Sequence, residues 1–198
     1  MVKTNLKLVK RQVEGIRFSF AALVLALACS FLIVISTFIQ FNFVHLKIYR
    51  FIPQIPTVLF AGAFLGRRYG LLSIILYIAA GLFFIPVFAL GGGAEYIFEY
   101  GFGYILAYIP AVFFATSILQ SGFSNRNIIQ ACLVGVLSIH LIGIIYMLFM
   151  AGIQHEDWTF IQNWISAQSG IKIIYDLIFS FLALFFARYA RVILWFYM

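Results

Sequence analysis

The sequence predicts an all-α membrane protein with six transmembrane helices, both termini on the cytoplasmic side and a loop-covered pocket near the outer face. The first observation behind this prediction is composition: of 198 residues, 65% are hydrophobic and 10% are charged. Because a soluble domain has roughly 45–50% apolar and 25% charged residues, this chain cannot present a soluble surface. The other two observations are the lengths of the apolar segments and the distribution of the basic residues.

Six apolar segments approach the length that a helix needs to cross the hydrocarbon core, roughly 17–25 residues. They cover residues 18–43, 52–66, 69–88, 102–121, 128–151 and 171–187. The second is short and contains Pro53 and Pro56, so we expect it to be tilted, broken or shielded by its neighbours. No stretch outside the spans is long enough for a globular domain. We therefore predict a single integral membrane domain over residues 1–198.

The basic residues are distributed asymmetrically about these spans. With the N-terminus inside, the inner segments hold Lys3, Lys7, Lys10, Arg11, Arg17, Arg67, Arg68, Arg126, Arg188 and Arg191, and the outer segments hold Lys47, Arg50 and Lys172. An excess of Lys and Arg on the cytoplasmic side is the usual determinant of membrane orientation. The sequence thus predicts a multi-pass protein of the cell membrane with both termini cytoplasmic.

The net charge of +7 is compatible with nucleic-acid binding, but its placement favours a membrane surface. Residues 1–17 combine lysines and arginines with apolar residues spaced alternately four and three apart, at Val2, Leu6, Val9, Val13 and Ile16. This pattern predicts a basic amphipathic helix on an anionic inner surface, with a solvated basic leader as the alternative. The lipid bilayer, and not nucleic acid, is the expected partner.

The candidate catalytic groups do not form an active site. Asp176 is the only carboxylate within a predicted span, and one carboxylate cannot serve as both general acid and general base. Ser138 lies two residues from His140, so on a helix the two side chains point to different faces. Neither cysteine belongs to a metal-ligand spacing, and there is no phosphate-binding loop. We predict no enzyme, no metal and no cofactor; any ATP would be used by partner subunits.

The outer side contains the features that predict a binding site. Gly91, Gly92 and Gly93 interrupt a strongly apolar region, and irregular backbone at membrane depth is tolerated where it is buried or lines a cavity. The glycines are expected to form a lid, with backbone amides and Glu95 facing inward; a tight interhelical turn is the alternative. Asp176 needs a partner inside the membrane, either a ligand N–H group or Lys172 one turn earlier.

Residues 54–115 contain the segments "GRRYGLLSIILYIAAGLFFIPVFALGGGAEY" and "GYILAYIPA". This region resembles the BioY family, the biotin-capturing membrane subunits (S components) of energy-coupling-factor (ECF) transporters. The resemblance includes Gly66, Arg68 and Gly70 after span two, Tyr77 and Gly81 on span three, Pro86 to Phe88 before the glycines, and Gly103 with Tyr104.

The resemblance implies a six-helix fold with a substrate pocket near the outer side, and a function in biotin uptake with an ATP-driven ECF module. The implied partners are biotin, a transmembrane coupling protein and ATPase subunits. The implied coupling surface contains Ala22 and Ala26, whose small-x-x-x-small spacing lets helix backbones approach closely. Together with the outer-face features above, the resemblance indicates these candidate substrate-binding residues: Gln54, Gly91, Gly92, Gly93, Glu95, Tyr104, Lys172 and Asp176.

The chain departs from the family pattern at polar positions. Phe179 replaces the lysine of an Asp-x-x-Lys pair, Ile52 replaces a threonine, and Tyr100-Gly101 replaces a Pro-Thr. Lys172 is one turn away on the other side of Asp176 and could supply the missing cation. Two alternatives follow: an S component for another small carboxylated vitamin or precursor, and a non-transporting membrane subunit that only packs against a partner.

Overall fold

The structure, a computed structural model, describes residues 20–42 and 50–197, and its described part is almost entirely helical. In chain order the elements are α1 (Phe20–Phe38), β1 (Phe41–Asn42), β2 (Arg50–Phe51), α2 (Gln54–Phe83), a 3₁₀ turn (Ala94–Phe98), α3 (Phe102–Leu106), α4 (Tyr108–Leu119), α5 (Asn125–Ile153), α6 (Trp158–Ser169) and α7 (Lys172–Tyr197). The two short strands pair antiparallel. The predicted amphipathic segment 1–17 lies outside the described residues.

Helix α2 covers two predicted spans and folds back on itself at Gly66. The backbone of Gly66 has φ 79° and ψ 175°, a conformation that glycine reaches without the strain of a Cβ atom. Beyond this break the chain reverses. The reversal is shown by the Gln54 amide Nε2, which donates a 2.6 Å hydrogen bond to the Tyr77 hydroxyl in the other half of the helix. On one continuous helix, residues 23 positions apart would be separated by about 35 Å. Pro53 and Pro56 fall at the start of the helix, where a missing N–H costs little.

The two halves of α2 touch through glycines. A Cβ atom added to Gly70 would lie 2.7 Å from the Cα atom of Gly62, which is a backbone atom and cannot rotate away. Gly62 in turn packs against Val112 of α4, so the contact sits inside the bundle. Small residues at such a crossing let the helix axes approach closely.

We expect Gly70→Ala to lower the free energy of unfolding by about 2 kcal/mol, because the added methyl group overpacks a backbone contact. Thermal unfolding of the detergent-purified protein measures this loss. Gly152→Ala is the matched control, since a Cβ there meets nothing within 4 Å. Equal melting temperatures for the two variants would show that the two halves of α2 are not in close contact at Gly62 and Gly70.

Five helical stretches of the described part are long and apolar enough to cross a membrane. They are Phe20–Phe38, Gln54–Phe83, Phe102–Leu119, Asn125–Ile153 and Trp158–Ile193. Large apolar side chains remain exposed along them, for example Phe20 at 81% and Phe186 at 71%, which is the surface that lipid would cover. The prediction of an all-helical, multi-pass membrane protein is confirmed at this level.

Helix α6 was not predicted, because its polar residues rule out a span and the preceding charges suggested a solvated loop. Asp157 starts this helix: its carboxylate Oδ1 accepts a 2.7 Å hydrogen bond from the backbone N–H of Phe160. Aspartate is among the preferred N-cap residues for this reason. The helix brings Trp164 and Ser169 against the rest of the bundle.

Candidate functional site

A chain of buried polar groups crosses the interior between α3, α5, α6 and α7. Asp176 Oδ2 lies 3.1 Å from His140 Nε2, and His140 Nδ1 lies 2.9 Å from Ser169 Oγ. Ser169 Oγ is in turn 2.5 Å from the hydroxyl of Tyr104. All four side chains are at most 7% exposed. Polar groups are expensive inside a membrane, so a connected set of them indicates a functional site.

The chain of hydrogen bonds leaves acceptor capacity unused at Asp176. Its second carboxylate oxygen, Oδ1, is buried without a hydrogen-bond partner among the described residues. The same holds for the hydroxyl of Ser180, one helical turn further along α7. An unpaired buried acceptor costs about 1–3 kcal/mol, and more when it is charged. These two atoms form the part of the structure that a ligand with N–H or O–H donors would satisfy.

A second polar group lies close to the first. Gln54 donates to the Tyr77 hydroxyl, and the hydroxyl of Thr37 of α1, which donates to the carbonyl of Ile33, lies near that same hydroxyl. The fully buried Tyr108 lies within electrostatic reach of Asp176, Tyr77 and Tyr96. Residues from every long helix of the described part therefore meet around one interior region. Gln54, Tyr104 and Asp176, three of the predicted site residues, are brought together there.

His140 should be essential to the stability of this arrangement, because its removal leaves the buried Asp176 carboxylate without its partner. Leaving a buried acceptor without its hydrogen-bond partner typically costs about 1–3 kcal/mol, and more for a charged group, so we expect His140→Ala to cost about 3 kcal/mol. Chemical or thermal unfolding in detergent measures the effect, with Ser138→Ala on the same helix as the control. If the cost persists unchanged in an Asp176→Asn background, the two side chains do not interact.

In the loop of residues 84–101, which was predicted on the outer side and is called the outer loop below, the three glycines fold the chain against the end of α2. Gly91 pairs with Phe88 through two backbone hydrogen bonds and has φ 128°. Gly93 N–H donates to the carbonyl of Gly81 at 2.8 Å. A Cβ on Gly92 would lie 2.7 Å from that same carbonyl oxygen and 2.7 Å from Pro86 Cα. Two of the glycine amides that were expected to face inward are thus used in backbone hydrogen bonds, that of Gly91 within the loop and that of Gly93 to the end of α2.

The loop covers the interior with aromatic rings. Phe88 is 1% exposed and packs against Tyr77, Tyr96 and Phe102, at ring-centroid distances of 5.5, 4.6 and 6.5 Å. In the 3₁₀ turn, Tyr96 points inward and is buried, whereas Glu95 is exposed. The expectation that Glu95 faces inward is therefore wrong, because the turn directs its neighbour to the core instead.

The outer end of the loop is tied to the end of α5. The hydroxyl of Tyr100 lies 2.6 Å from a carboxylate oxygen of Glu156 and 2.5 Å from Oε1 of Gln154. Desolvation and the neighbouring Glu156 carboxylate raise the pKa of Tyr100 to about 12. The hydroxyl therefore remains a donor at neutral pH, and this contact holds the loop closed over the interior.

Lys172, Ala22 and Ala26 have surroundings that differ from the sequence interpretation. Lys172 is half-buried at the first position of α7, and among the described residues the ion pair of Asp176 is made with His140 and not with Lys172. Ala26 is fully buried by this chain's own atoms and Ala22 is half-buried. Ala26 therefore contributes to packing of α1 here, and the role of both alanines in partner binding stays a prediction.

Sequence reasoning missed several residues of the polar region: Thr37, Tyr108, Ser169 and Ser180. Ser169 ends a helix that was not predicted, so its position could not be foreseen. Ser180 carried a usable signal, since it follows Asp176 by four residues and so shares its face of the helix. Phe179, which replaces the family lysine, stacks on Phe51 at a centroid distance of 4.7 Å and is 36% exposed.

Comparison with known proteins gives consistent matches. The model of the BioY family matches residues 9–194. Two curated relatives are each named a probable biotin transporter BioY. The protein from Lysinibacillus sphaericus is 31% identical over 106 residues, which cover 52% of this chain and 54% of the relative. The protein from Pyrococcus horikoshii is 36% identical over 101 residues, which cover 50% of this chain and 59% of the relative.

One solved structure has a similar fold. It is the crystal structure at 2.1 Å of the S component for biotin from an ECF-type ABC transporter, with a TM-score of 0.68 and 24% sequence identity. The alignment covers 86% of this chain and 90% of that one. The aligned regions span about half the length of the curated relatives.

Proposed function

Since the chain belongs to the BioY family, we propose that it is the biotin-capturing S component of an ECF transporter. Family and fold point to a transporter rather than an enzyme. The observation that carries the proposal is the buried Asp176 carboxylate, whose Oδ1 has no partner among the described residues. Biotin has a ureido ring with N–H donors, and these are the groups that a free carboxylate oxygen binds.

The remaining groups of the region suit the rest of the ligand. The aromatic side chains of Tyr77, Phe88 and Tyr104, which pack in the core beside the polar groups, suit an apolar bicyclic ring system. Because His140 is the partner of Asp176, Lys172 is left to bind the ligand's carboxylate at the outer end of α7. Gln54 and the Ser180 hydroxyl supply further polar contacts. Gly91, Gly92 and Gly93 shape the lid, and Glu95 stays at its solvent-facing edge.

The membrane arrangement belongs to the same proposal. Counting the two antiparallel halves of α2 separately gives six spans, with both termini cytoplasmic and the binding region near the outer face of the plasma membrane. The arginines at one end of the described helices agree with this orientation. The captured biotin would be delivered with a transmembrane coupling protein, and ATP would be used by partner ATPase subunits, with no cofactor in this chain.

Calorimetric titration of the detergent-purified protein tests the ligand. We expect one-to-one binding of biotin and no binding of lipoate, which has the same valerate tail but lacks ureido N–H groups. Biotin amide, which lacks the carboxylate, should bind more weakly. Binding of lipoate and biotin alike would favour a less selective S component for carboxylated ring compounds. No binding of any of these by folded protein would favour a packing subunit without a ligand.

A further inference from the structure

A cleft of about 1000 Å³ lies at the end of the bundle opposite the polar region. It is bordered by the turn at Gly66, the end of α4 and the last turns of α7. Three arginines line it: Arg67, Arg188 and Arg191. This end is fixed by contacts between distant segments, since Arg188 Nη1 is 3.4 Å from Asn125 Oδ1 and Arg191 Nη1 donates to the carbonyl of Ala63 at 3.3 Å.

The positive charge of this cleft is not neutralised within the described part of the chain. Of the six carboxylates in the sequence, Glu95, Glu99, Glu156 and Asp157 belong to the opposite end and Asp176 to the polar region. The sixth, Glu14, lies outside the described residues. Across residues 20–40 and 51–193, the one ion pair involves His140 and Asp176, so none of the three cleft arginines has a carboxylate partner there.

The guanidinium groups are held in fixed positions by neutral contacts. Arg67 lies 4.4 Å from the ring centroid of Phe113 and donates to the hydroxyl of Ser117, while its Nε is buried without a partner in the described structure. Arg191 lies 5.6 Å from the ring centroid of Phe123. Stacking on a ring occupies the face of a guanidinium and leaves its N–H edges available.

We propose that this cleft binds the phosphate group of an anionic membrane lipid. Arginine edges bind phosphate oxygens in a bidentate manner, and basic pockets between helices at a membrane face hold lipid headgroups. Gln120 and Thr116 add polar lining, whereas Phe123 and the exposed Val192 provide apolar walls suited to acyl chains. A phosphodiester joined to hydrocarbon matches this mixed lining, and the cleft opens where the spans end.

Native mass spectrometry of the full chain tests the proposal, with phosphatidylglycerol and phosphatidylcholine of identical acyl chains offered together. We expect preferential retention of phosphatidylglycerol by the wild type. The double variant Arg188→Gln/Arg191→Gln should lose this preference roughly tenfold or more. Arg126→Gln removes an exposed charge from the same end outside the cleft, so it should behave as the wild type.

Two results would overturn the proposal. Equal loss of phosphatidylglycerol in Arg126→Gln and in the double variant would assign the preference to general surface charge. The second result combines two measurements. If inorganic phosphate stabilises the wild type but not the double variant in lipid-free detergent, and the wild type shows no preference among lipids, the cleft binds a free anion instead. Arg191→Lys keeps the charge and should retain part of the lipid preference, so it separates lost binding from lost folding.

Discussion

Asp176→Ala should reduce the affinity for biotin by a factor of about 100 or more. The substitution removes both the oxygen that His140 contacts and the oxygen that has no partner among the described residues. The ligand's N–H donors would then enter a region without a charged acceptor, and His140 Nε2 would lose its hydrogen-bond partner. Calorimetric titration measures the change, and Asp157→Asn, an acidic residue at the N-cap of α6, is the control because asparagine caps a helix equally well.

Asp176→Asn should give an intermediate affinity. An asparagine side chain has one acceptor oxygen, whereas a carboxylate has two, so either His140 or the ligand meets an amide donor. A charge-assisted hydrogen bond contributes about 1.5–3 kcal/mol, and its weakening corresponds to a loss of roughly 10- to 100-fold. The order wild type, Asn variant, Ala variant is thus expected. Wild-type affinity in both variants would remove Asp176 from the binding site.

The unliganded Asn variant should be at least as stable as the wild type, because a buried charge with an unsatisfied oxygen has been removed. Biotin at about 1000 times the dissociation constant should stabilise the wild type by about 4 kcal/mol and the variant much less. Thermal unfolding with and without biotin measures both quantities. Higher stability combined with lost binding is the trade-off expected where a site is arranged for its ligand.

The sequence was sufficient to predict the membrane class, the segments that form the long helices and the placement of Asp176 inside one of them. These depend on composition and on apolar length, which are local properties. The reversal at Gly66 was also foreseeable, since one predicted span ended at this glycine and two arginines separated it from the next. By contrast, the pairing of Asp176 with His140 joins residues 36 positions apart, and it depends on how α5 and α7 pack. Spacing along one helix favoured Lys172 instead.

The contacts of the outer loop were likewise only partly predictable from the sequence. Three consecutive glycines predicted close backbone contacts, and the contacts occur, but they are made with Gly81 and Pro86 of the chain itself. The sequence did not indicate that Phe88 would be the side chain that fills the interior. A run of phenylalanines between residues 83 and 88 offers several candidates, and only the turn at Gly91 determines which ring points inward.

Gly92→Ala should have the largest effect of any substitution in the outer loop. Its Cβ would lie 2.7 Å from both Gly81 O and Pro86 Cα, and 3.1 Å from the carbonyl oxygen of Ile85. All three are backbone atoms, so the loop must move away from α2. That movement breaks the hydrogen bond from Gly93 N–H to Gly81 and withdraws Phe88 from its buried position. We expect a loss of about 2 kcal/mol or more in unfolding free energy, measured by thermal unfolding.

Two other glycines separate steric from conformational effects. Gly101→Ala is the neutral control, because Gly101 has φ −76° and open space around its Cβ position. Gly91→Ala also has open space but requires φ 128°, so it should be destabilised by about 1–2 kcal/mol through backbone strain alone. If Gly92→Ala and Gly101→Ala have the same melting temperature, the close contact between Gly92 and α2 is not maintained in the protein.

The same variants distinguish a lid from a turn. If the loop closes over bound biotin, Gly92→Ala should weaken binding roughly tenfold, mainly through faster dissociation. The substitution destabilises the closed conformation of the loop, so the loop opens more often and releases the ligand. A simple interhelical turn would lose stability without any change in the dissociation rate. Measuring that rate for Gly92→Ala and Gly101→Ala therefore tests the function of the glycines independently of their packing, since only a lid couples the contact at Gly81 to the release of ligand.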